Sequence, residues 1–150
     1  MILERTTDGQ RMQRIIEHPS VFPHVSLGDA HVDLVKHVEN PENICLMNEW
    51  GGFLFVKLSD TEYEVHTQFL PQGRGRRVIK AAREALNEMF RKCERITTYV
   101  PDGNKGADSL CRAFRFASDG RCTVMTAEGR MVDMERRYLT RERFVCPLQQ

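Results

Sequence analysis

A loop with two glycines and a cluster of cations, Gln72–Arg77, joins an alternating apolar segment to a strongly amphipathic helix. Gly73 and Gly75 allow a tight turn and leave backbone amides uncovered. The first turn of the helix points free N–H groups and a partial positive charge back at this loop. The cations at that end are Arg74, Arg76, Arg77 and Lys80. The order strand, glycine loop, helix predicts a phosphate site; the alternative is a solvated turn with its arginines in water.

The elements around this loop predict a mixed sheet with helices on both faces, an α/β fold class. Three apolar or alternating segments, 44–49, 53–58 and 62–70, have tight connections and predict an antiparallel meander. The helix after the loop must then cross over to a parallel strand at 95–100. A short helix near 107–114 and strands at 121–127 and 131–139 follow. Before the meander we expect a first strand at 2–5, a helix capped by Thr7 or Asp8, an irregular segment at 20–27, and a helix from Asp29 to Glu39.

Length and composition are those of one soluble domain, residues 1–150. The net charge of +1 argues against a nucleic-acid binder, which is normally basic. The five cysteines form no CxxC pair and no zinc-like cluster, so we expect reduced thiols in a cytoplasmic protein without a metal. The sequence shows no signal peptide and no run of about 18 apolar residues that would span a membrane.

Two motifs resemble those of the GCN5-related N-acetyltransferases, the GNAT family. The family's central motif, Gln/Arg-x-x-Gly-x-Gly/Ala, is matched by Gln72 and Gly75, while Arg77 replaces its small third residue. The second motif is a turn with Asn followed by Ala-x-x-Leu-Tyr-x-x-x-Gly-Phe. Asn104, Ala107, Leu110 and Phe116 match it, whereas Cys111 replaces the Tyr and Arg115 replaces the Gly. The element order resembles the family over nearly the whole chain, and segment 63–75 is also similar to GNAT-like proteins of tailed phages and prophages.

The resemblance implies the GNAT fold, with acetyl-CoA lying between two parallel strands that splay apart, here 62–70 and 95–100. It places the backbone of segment 67–69 beside the pantetheine arm and the amides of segment 73–77 around the pyrophosphate. The implied cofactor-binding residues are Thr67, Phe69, Gln72, Gly73, Arg74, Gly75, Arg76 and Arg77, with Asn104 as a side-chain hydrogen-bond partner. The resemblance implies no metal.

The implied reaction is direct acetyl transfer to an amine, which needs a base for the amine proton and a donor, usually a backbone N–H, for the thioester oxygen. Family members often carry a base on the fourth strand. Glu64 and His66 lie on one face of that strand here and are both candidates. The family's acid is often the Tyr that Cys111 replaces, and a thiol with a pKa near 8.5 can donate a proton. A small core residue is the other interpretation of Cys111, because it lies on the apolar face of its helix.

The resemblance thus predicts a phage-encoded, acetyl-CoA-dependent N-acetyltransferase that acts on an amine acceptor not identified by the sequence. The alternative is a catalytically inactive GNAT-like phage protein that serves as an interaction or head-assembly factor, favoured by the changes at Arg77, Cys111 and Arg115. Localisation would be the host cytoplasm. Because GNAT proteins often dimerise, a homodimer also stays open.

Two further features have more than one interpretation. Trp50, beside Gly51 and Gly52, either shapes an acceptor pocket or covers a turn. Basic residues near the C-terminus predict a protected edge strand, with contact to nucleic acid or an acidic partner as the lesser alternative. These residues are Arg136, Arg137, Arg141 and Arg143.

Overall fold

A computed structural model describes residues 2–145 of the chain. The elements in chain order are β1 (Glu4–Thr6), α1 (Gly9–Ile16), α2 (Phe22–Ser26), α3 (Val35–Glu39), β2 (Ile44–Asn48), β3 (Gly51–Lys57), β4 (Glu62–Phe69), α4 (Arg76–Met89), β5 (Arg95–Pro101), α5 (Lys105–Ala113), β6 (Ala117–Met125), β7 (Met131–Thr140) and α6 (Arg141–Val145). A single 3-10 turn, Pro71–Gly73, lies between β4 and α4.

The strands form one seven-stranded sheet in the order β1-β2-β3-β4-β5-β7-β6. All neighbouring strands in it are antiparallel except β4 and β5, which are parallel and are joined by α4. The predicted mixed, mostly antiparallel sheet is therefore confirmed. The first strand and the helix capped by Asp8 are also present, and Asp8 accepts hydrogen bonds from the amides of Gln10 and Arg11.

The sheet separates two apolar cores, so helices cover both of its faces. On one face α4 packs against β2, β3 and β4 through a stripe at helical spacing that includes Ala82, Leu86 and Met89. On the other face α1 and α3 cover β2 and β3, where Met12, Ile16 and Val38 are buried. β4 therefore presents its odd-numbered side chains toward α4 and its even-numbered side chains toward the α1 side.

The helix predicted over 29–39 is wrong in its first half. Only α3 (Val35–Glu39) is helical, and α2 forms instead in the segment expected to be irregular. Asp29 caps no helix: it is 5% exposed and accepts hydrogen bonds from Thr126 Oγ1 at 2.7 Å and from the amide of Glu128 at 3.3 Å. These partners lie on the β6–β7 turn, almost a hundred residues away, so no local pattern predicts them.

The interpretation of the C-terminal arginines as edge protection is also wrong. β7 lies between β5 and β6, and β6 forms the edge of the sheet. Arg137 is mostly buried and donates to Asp108 at 2.6 Å. Arg141 donates to the carbonyl oxygens of Phe90 and Cys93, at 2.7 and 2.9 Å. These guanidinium groups join neighbouring elements.

Within residues 2–145, no helix is both long and apolar enough to cross a membrane. The four cysteines of that part of the chain, Cys45, Cys93, Cys111 and Cys122, are free thiols. Cys146 lies outside the described residues.

Candidate functional site

The two parallel strands separate after a short stretch of pairing. The paired residues are Glu62↔Arg95, Tyr63↔Ile96 and Glu64↔Thr97. Both strands continue beyond this point, β4 to Phe69 and β5 to Pro101, while β4 stays paired with β3 along its other edge. One edge of β4 therefore opens into a gap, where the family resemblance implies splayed strands.

A side-chain hydrogen bond marks the start of this gap. Thr98 Oγ1 donates to the carbonyl oxygen of Val65 at 3.1 Å, so a hydroxyl takes the place of the next bond of the ladder. Backbone groups of a strand alternate between its two neighbours, so the N–H and C=O of Thr67 point into the gap as well. With no strand beside them there, they are available to the amides of an extended ligand.

Phe69 and Arg74 close the far end of β4. The ring of Phe69 is buried edge-on against Phe53, with 5.1 Å between centroids, so only its backbone reaches the gap. The carbonyl oxygen of Phe69 accepts a hydrogen bond from Arg74 Nε at 3.0 Å, and Arg74 Nη2 donates to the carbonyl oxygen of Ser20 at 2.8 Å. The Arg74 side chain therefore connects β4 to the α1–α2 connection. Its bonded guanidinium is less suited to contact a ligand than the side chains of Arg76 and Lys80.

The start of α4 is uncapped. Its N-cap, Gly75, has φ 70° and ψ −132°, a conformation that only glycine adopts readily, and it offers no side-chain hydrogen bond. A Cβ on Gly75 would meet nothing within 4 Å. The amides of Gly73 and Arg74 are used in the preceding turn, but those of residues 75–78 have no acceptor within residues 2–145. Four free amides at an open helix start are suited to a phosphate.

Trp50 supports this loop from below. A Cβ on Gly73 would lie 2.6 Å from Trp50 Cβ, so glycine is needed there for packing, whereas Gly75 is needed for its backbone conformation. The guanidinium of Arg77 lies over the Trp50 ring, 4.6 Å from its centroid, and donates to the carbonyl oxygen of Gln72 at 2.8 Å. Arg77 is thus held against the loop. The exposed Arg76 and Lys80 make no ion pair within the described residues.

The two candidate bases form a pair on the opposite face of β4. His66 Nε2 and Glu64 Oε2 are 2.8 Å apart, with the imidazole 40% and the carboxylate 21% exposed. Glu64 is also the last residue of β4 with a partner on β5, so the pair lies where the gap begins. A carboxylate on Nε2 fixes the ring and leaves Nδ1 free, which is the arrangement of an oriented general base.

Asn104 begins α5 at the end of β5. Its Oδ1 accepts a hydrogen bond from the amide of Ala107 at 3.0 Å, so the side chain caps the helix. Its amide nitrogen makes no hydrogen bond within residues 2–145 and is the part left for a ligand. Asn104 also lines a cavity of about 300 Å³ between the end of β5, the start of α5 and the β6–β7 hairpin.

Comparison with known proteins identifies this architecture. No protein-family model and no curated protein matches the sequence. Among solved structures, a mutant of spermidine N-acetyltransferase SpeG from Vibrio cholerae aligns with a TM-score of 0.71 and 14% identity over 97% of this chain and 98% of that one. A GNAT-family acetyltransferase from Bacillus anthracis aligns with a TM-score of 0.69 and 16% identity over 95% and 99% of the two chains. The chain has the GNAT fold.

A third solved structure with this fold is the Vibrio cholerae spermidine N-acetyltransferase in complex with CoA and spermine. It aligns with a TM-score of 0.62 and 18% identity over 75% of this chain and 73% of that one. At these identities the likeness concerns the fold. It confirms the fold that the two sequence motifs imply, and no comparison tests the residues predicted for the site.

Within the GNAT fold of this chain, Arg115 replaces the motif's glycine without disturbing the backbone. Arg115 has φ 59°, the left-handed conformation in which a helix commonly ends. The amide of Phe116 donates to the carbonyl oxygen of Cys111 at 2.9 Å, which completes a Schellman-type end to α5. Arg115 Nη2 also donates to the carbonyl oxygen of Arg143, at 2.7 Å. Arg115 thus keeps the glycine's conformation and adds a contact to α6.

Cys111, which replaces the motif's tyrosine, is 5% exposed. Burial raises the pKa of its thiol to about 11. A thiol with this pKa is a weaker acid than an ordinary one, and its position suits a small core residue. The role of proton donor stays an untested prediction.

The sequence analysis did not single out Gln68 or Thr98, and it left two interpretations of Trp50. It also did not predict that the side chain of Arg74 bonds to backbone oxygens. Alternation along β4 puts Gln68 beside His66, and Trp50 is the single tryptophan of the chain. Thr98 has no sequence signal, because its importance depends on where the strands separate.

Within residues 2–145 no group of three or more His, Cys, Asp or Glu is arranged to hold a metal ion.

Proposed function

We propose that the protein is an acetyl-CoA-dependent N-acetyltransferase that transfers the acetyl group directly to a primary amine. One observation carries the proposal. The parallel strands β4 and β5 separate beyond Glu64, and β4 then leads into the start of α4, which has free amides and exposed cations. A gap lined by unpaired backbone suits the amides of pantetheine, and an uncapped helix start suits a pyrophosphate. By their names, two of the fold neighbours are spermidine N-acetyltransferases, one of them in complex with CoA and spermine, which supports the same class of reaction.

In this proposal the residues of the chain divide the work along β4. Thr67 and the N–H of Phe69 bind the extended arm of acetyl-CoA, which supplies a thioester as the acetyl donor. The amides of Gly75 to Val78 bind its diphosphate, with Arg76 and Lys80 adding charge. Asn104 Nδ2 is a further donor to CoA.

The proton transfer is assigned to the Glu64–His66 pair. His66 Nδ1 takes one proton from the attacking amine, and Glu64 holds the ring through Nε2. As the C–N bond forms, the C–S bond breaks and the CoA thiolate leaves. A backbone N–H at the separation of the strands is the donor to the thioester oxygen. Cys111 takes the place of the motif's tyrosine, but its buried thiol, with a pKa raised to about 11, is a poor proton donor to the thiolate, which takes its proton from water.

Binding of acetyl-CoA by calorimetry tests the proposal, followed by release of CoA thiol in the presence of spermidine. We expect micromolar affinity for the wild type and a loss of about 100-fold or more in Gly75→Val, since a side chain enters the diphosphate site and the backbone leaves its glycine conformation. Gly120→Val is the matched control, because Gly120 also has a positive φ (93°) and open space around it but lies on β6.

Absence of acetyl-CoA binding by the wild type at millimolar concentration would refute the enzyme and leave the catalytically inactive GNAT-like phage factor. Three finer expectations from the sequence belong to the same proposal: a phage origin, a cytoplasmic location and a homodimer. Partners other than acetyl-CoA and an amine, nucleic acid among them, have no part in it.

A further inference from the structure

Gln68 is a buried polar residue that the site as described does not use. It lies on β4 two residues after His66, so its side chain is on the face that carries Glu64 and His66. Gln68 is 6% exposed, and its Oε1 has no hydrogen-bond partner within residues 2–145. Buried side-chain amides are nearly always hydrogen-bonded, so an orphaned one points to a missing partner.

The neighbours of Gln68 on the sheet supply no such partner. Its cross-strand partner on β3 is Gly52, which has no side chain. A Cβ on Gly52 would lie 2.6 Å from Met47 Cγ, so the apolar side chain of Met47 fills the space above Gly52. On the other side of β4, no strand of the described part of the chain pairs with it beyond Glu64. Gln68 therefore lies between an apolar wall and the gap.

The α1–α2 connection lies above this end of β4. Arg74 bonds the carbonyl oxygens of Ser20 and Phe69, which holds the connection against the strand. α1 contributes the apolar side chains of Met12 and Ile16 to the same face of the sheet. Because it has no hydrogen-bond partner within residues 2–145, the amide oxygen of Gln68 is an acceptor suited to an N–H group that arrives through the gap.

We propose that Gln68 binds the acceptor substrate: its Oε1 accepts a hydrogen bond from one N–H of a primary amine, while another N–H of the same nitrogen faces His66 Nδ1. The proposal rests on the proposed function. Residues two apart on a strand are about 6.6 Å apart, which allows two long side chains to converge on one nitrogen. The amine gives its proton to His66 as the C–N bond forms and the C–S bond breaks, and Gln68 exchanges no proton. A quaternary ammonium, which has no N–H, would not be held.

The side-chain amide signal of Gln68 in NMR spectra measures this contact directly, once its disappearance in Gln68→Glu has assigned it. n-Propylamine, a primary amine with a short apolar stem, is the probe, and tetramethylammonium is the control cation without N–H. We expect n-propylamine to shift the signal saturably and tetramethylammonium to leave it in place. Titration of the protein with and without CoA separates the two proposals, because failure of CoA binding counts against the acetyltransferase and an unmoved Gln68 signal refutes the amine site.

The variant Gln68→Leu provides a second measurement. It removes the orphaned oxygen, so we expect a higher midpoint of thermal unfolding together with about a tenfold higher KM for n-propylamine, the effect of losing one hydrogen bond. The Kd for acetyl-CoA should stay unchanged. Gln10→Leu, on the exposed side of α1, is the matched control and should alter none of these quantities. A Gln68→Leu protein with the wild-type KM would overturn the assignment.

Discussion

The two helices that follow the parallel strands begin in opposite ways. α5 is capped by the chain itself, since Asn104 accepts a hydrogen bond from the amide of Ala107 and Asp108 places a carboxylate in the first turn. α4 has no side-chain cap and no acidic residue in its first turn, and it begins at a glycine. Both helices follow the carboxyl ends of neighbouring strands. Strand–loop–helix order alone therefore does not predict an anion site, whereas a helix start that has neither a side-chain cap nor a carboxylate favours one.

The same substitution in the two loops tests most directly whether the start of α4 differs from the start of α5 in anion binding. Gly75 and Gly103 both have positive φ, 70° and 84°, and neither would place a Cβ within 4 Å of another atom. Gly75→Asp puts a carboxylate at the uncapped helix start, where it competes with the diphosphate and repels it. We expect the affinity for acetyl-CoA, measured by calorimetry, to fall about 100-fold or more.

Gly103→Asp carries the same charge change and the same backbone cost before the capped helix. We expect its acetyl-CoA affinity to stay within about threefold of the wild type, because a single exposed charge away from the diphosphate is screened and acts weakly. Equal losses in the two variants would mean that the α4 start has no special part in binding.

The cap itself accounts for the second difference between the helices. Asn104→Ala removes the acceptor for the Ala107 amide, and we expect about 1 kcal/mol lower unfolding free energy. For a chain of this size, the thermal midpoint should then fall by about 2–4 °C. Asn104→Asp keeps the cap but removes the Nδ2 donor, so it should retain stability. A weaker Kd for acetyl-CoA in Asn104→Asp would support the CoA contact proposed for Nδ2, and an unchanged Kd would remove it.

Acid should weaken the α5 end and spare the α4 start. A hydrogen bond from Arg137 lowers the pKa of Asp108, and the same guanidinium lowers the pKa of Glu135. A carboxylate with a depressed pKa in the folded protein stabilises the fold above its unfolded pKa, about 4, and loses that contribution as the pH falls through the folded value. Asp108→Asn should therefore lower the urea midpoint at pH 7, and the difference between the two proteins should shrink as the pH falls from about 4 to 3. A constant difference between them over this whole range of pH would argue against the linkage.

Local patterns were sufficient for much of the fold and for the loop of the site. The alternation of β4 and the apolar stripe of α4 predict their elements and faces, and the two glycines predict the tight turn that precedes α4. Contacts between distant segments were beyond the sequence. The local sequence predicts Asp29 as a helix cap, because its partner Thr126 is distant in the chain. It predicts Arg137 on an edge strand, because the position of β7 inside the sheet depends on β5 and β6.

Within the candidate site, too, contacts between different strands are not predictable from the local sequence. The pairing of Glu64 with His66 follows from two-residue spacing, which any strand provides. The need for Gly73 comes from Trp50, on a different strand connection. The absence of a partner for Gln68 Oε1 within residues 2–145 depends on Gly52 and Met47, which lie on neighbouring strands. Steric and polar complementarity among strands thus determines which residues of a recognised motif are free to act.

Substitution of Cys111, which lies in α5, has the smallest expected effect on activity. Its thiol, with a pKa raised by burial to about 11, would protonate an ordinary thiolate, pKa about 8.5, only against a clear free-energy difference. Cys111→Ala should therefore lower kcat for acetyl transfer by less than about threefold, far below the 10²–10⁴-fold typical of a general acid. Its main effect should be a slightly lower thermal midpoint, from the small cavity left in the core. Steady-state kinetics with n-propylamine decide the matter, and a fall in kcat beyond a hundredfold with unchanged acetyl-CoA affinity would establish Cys111 as the acid.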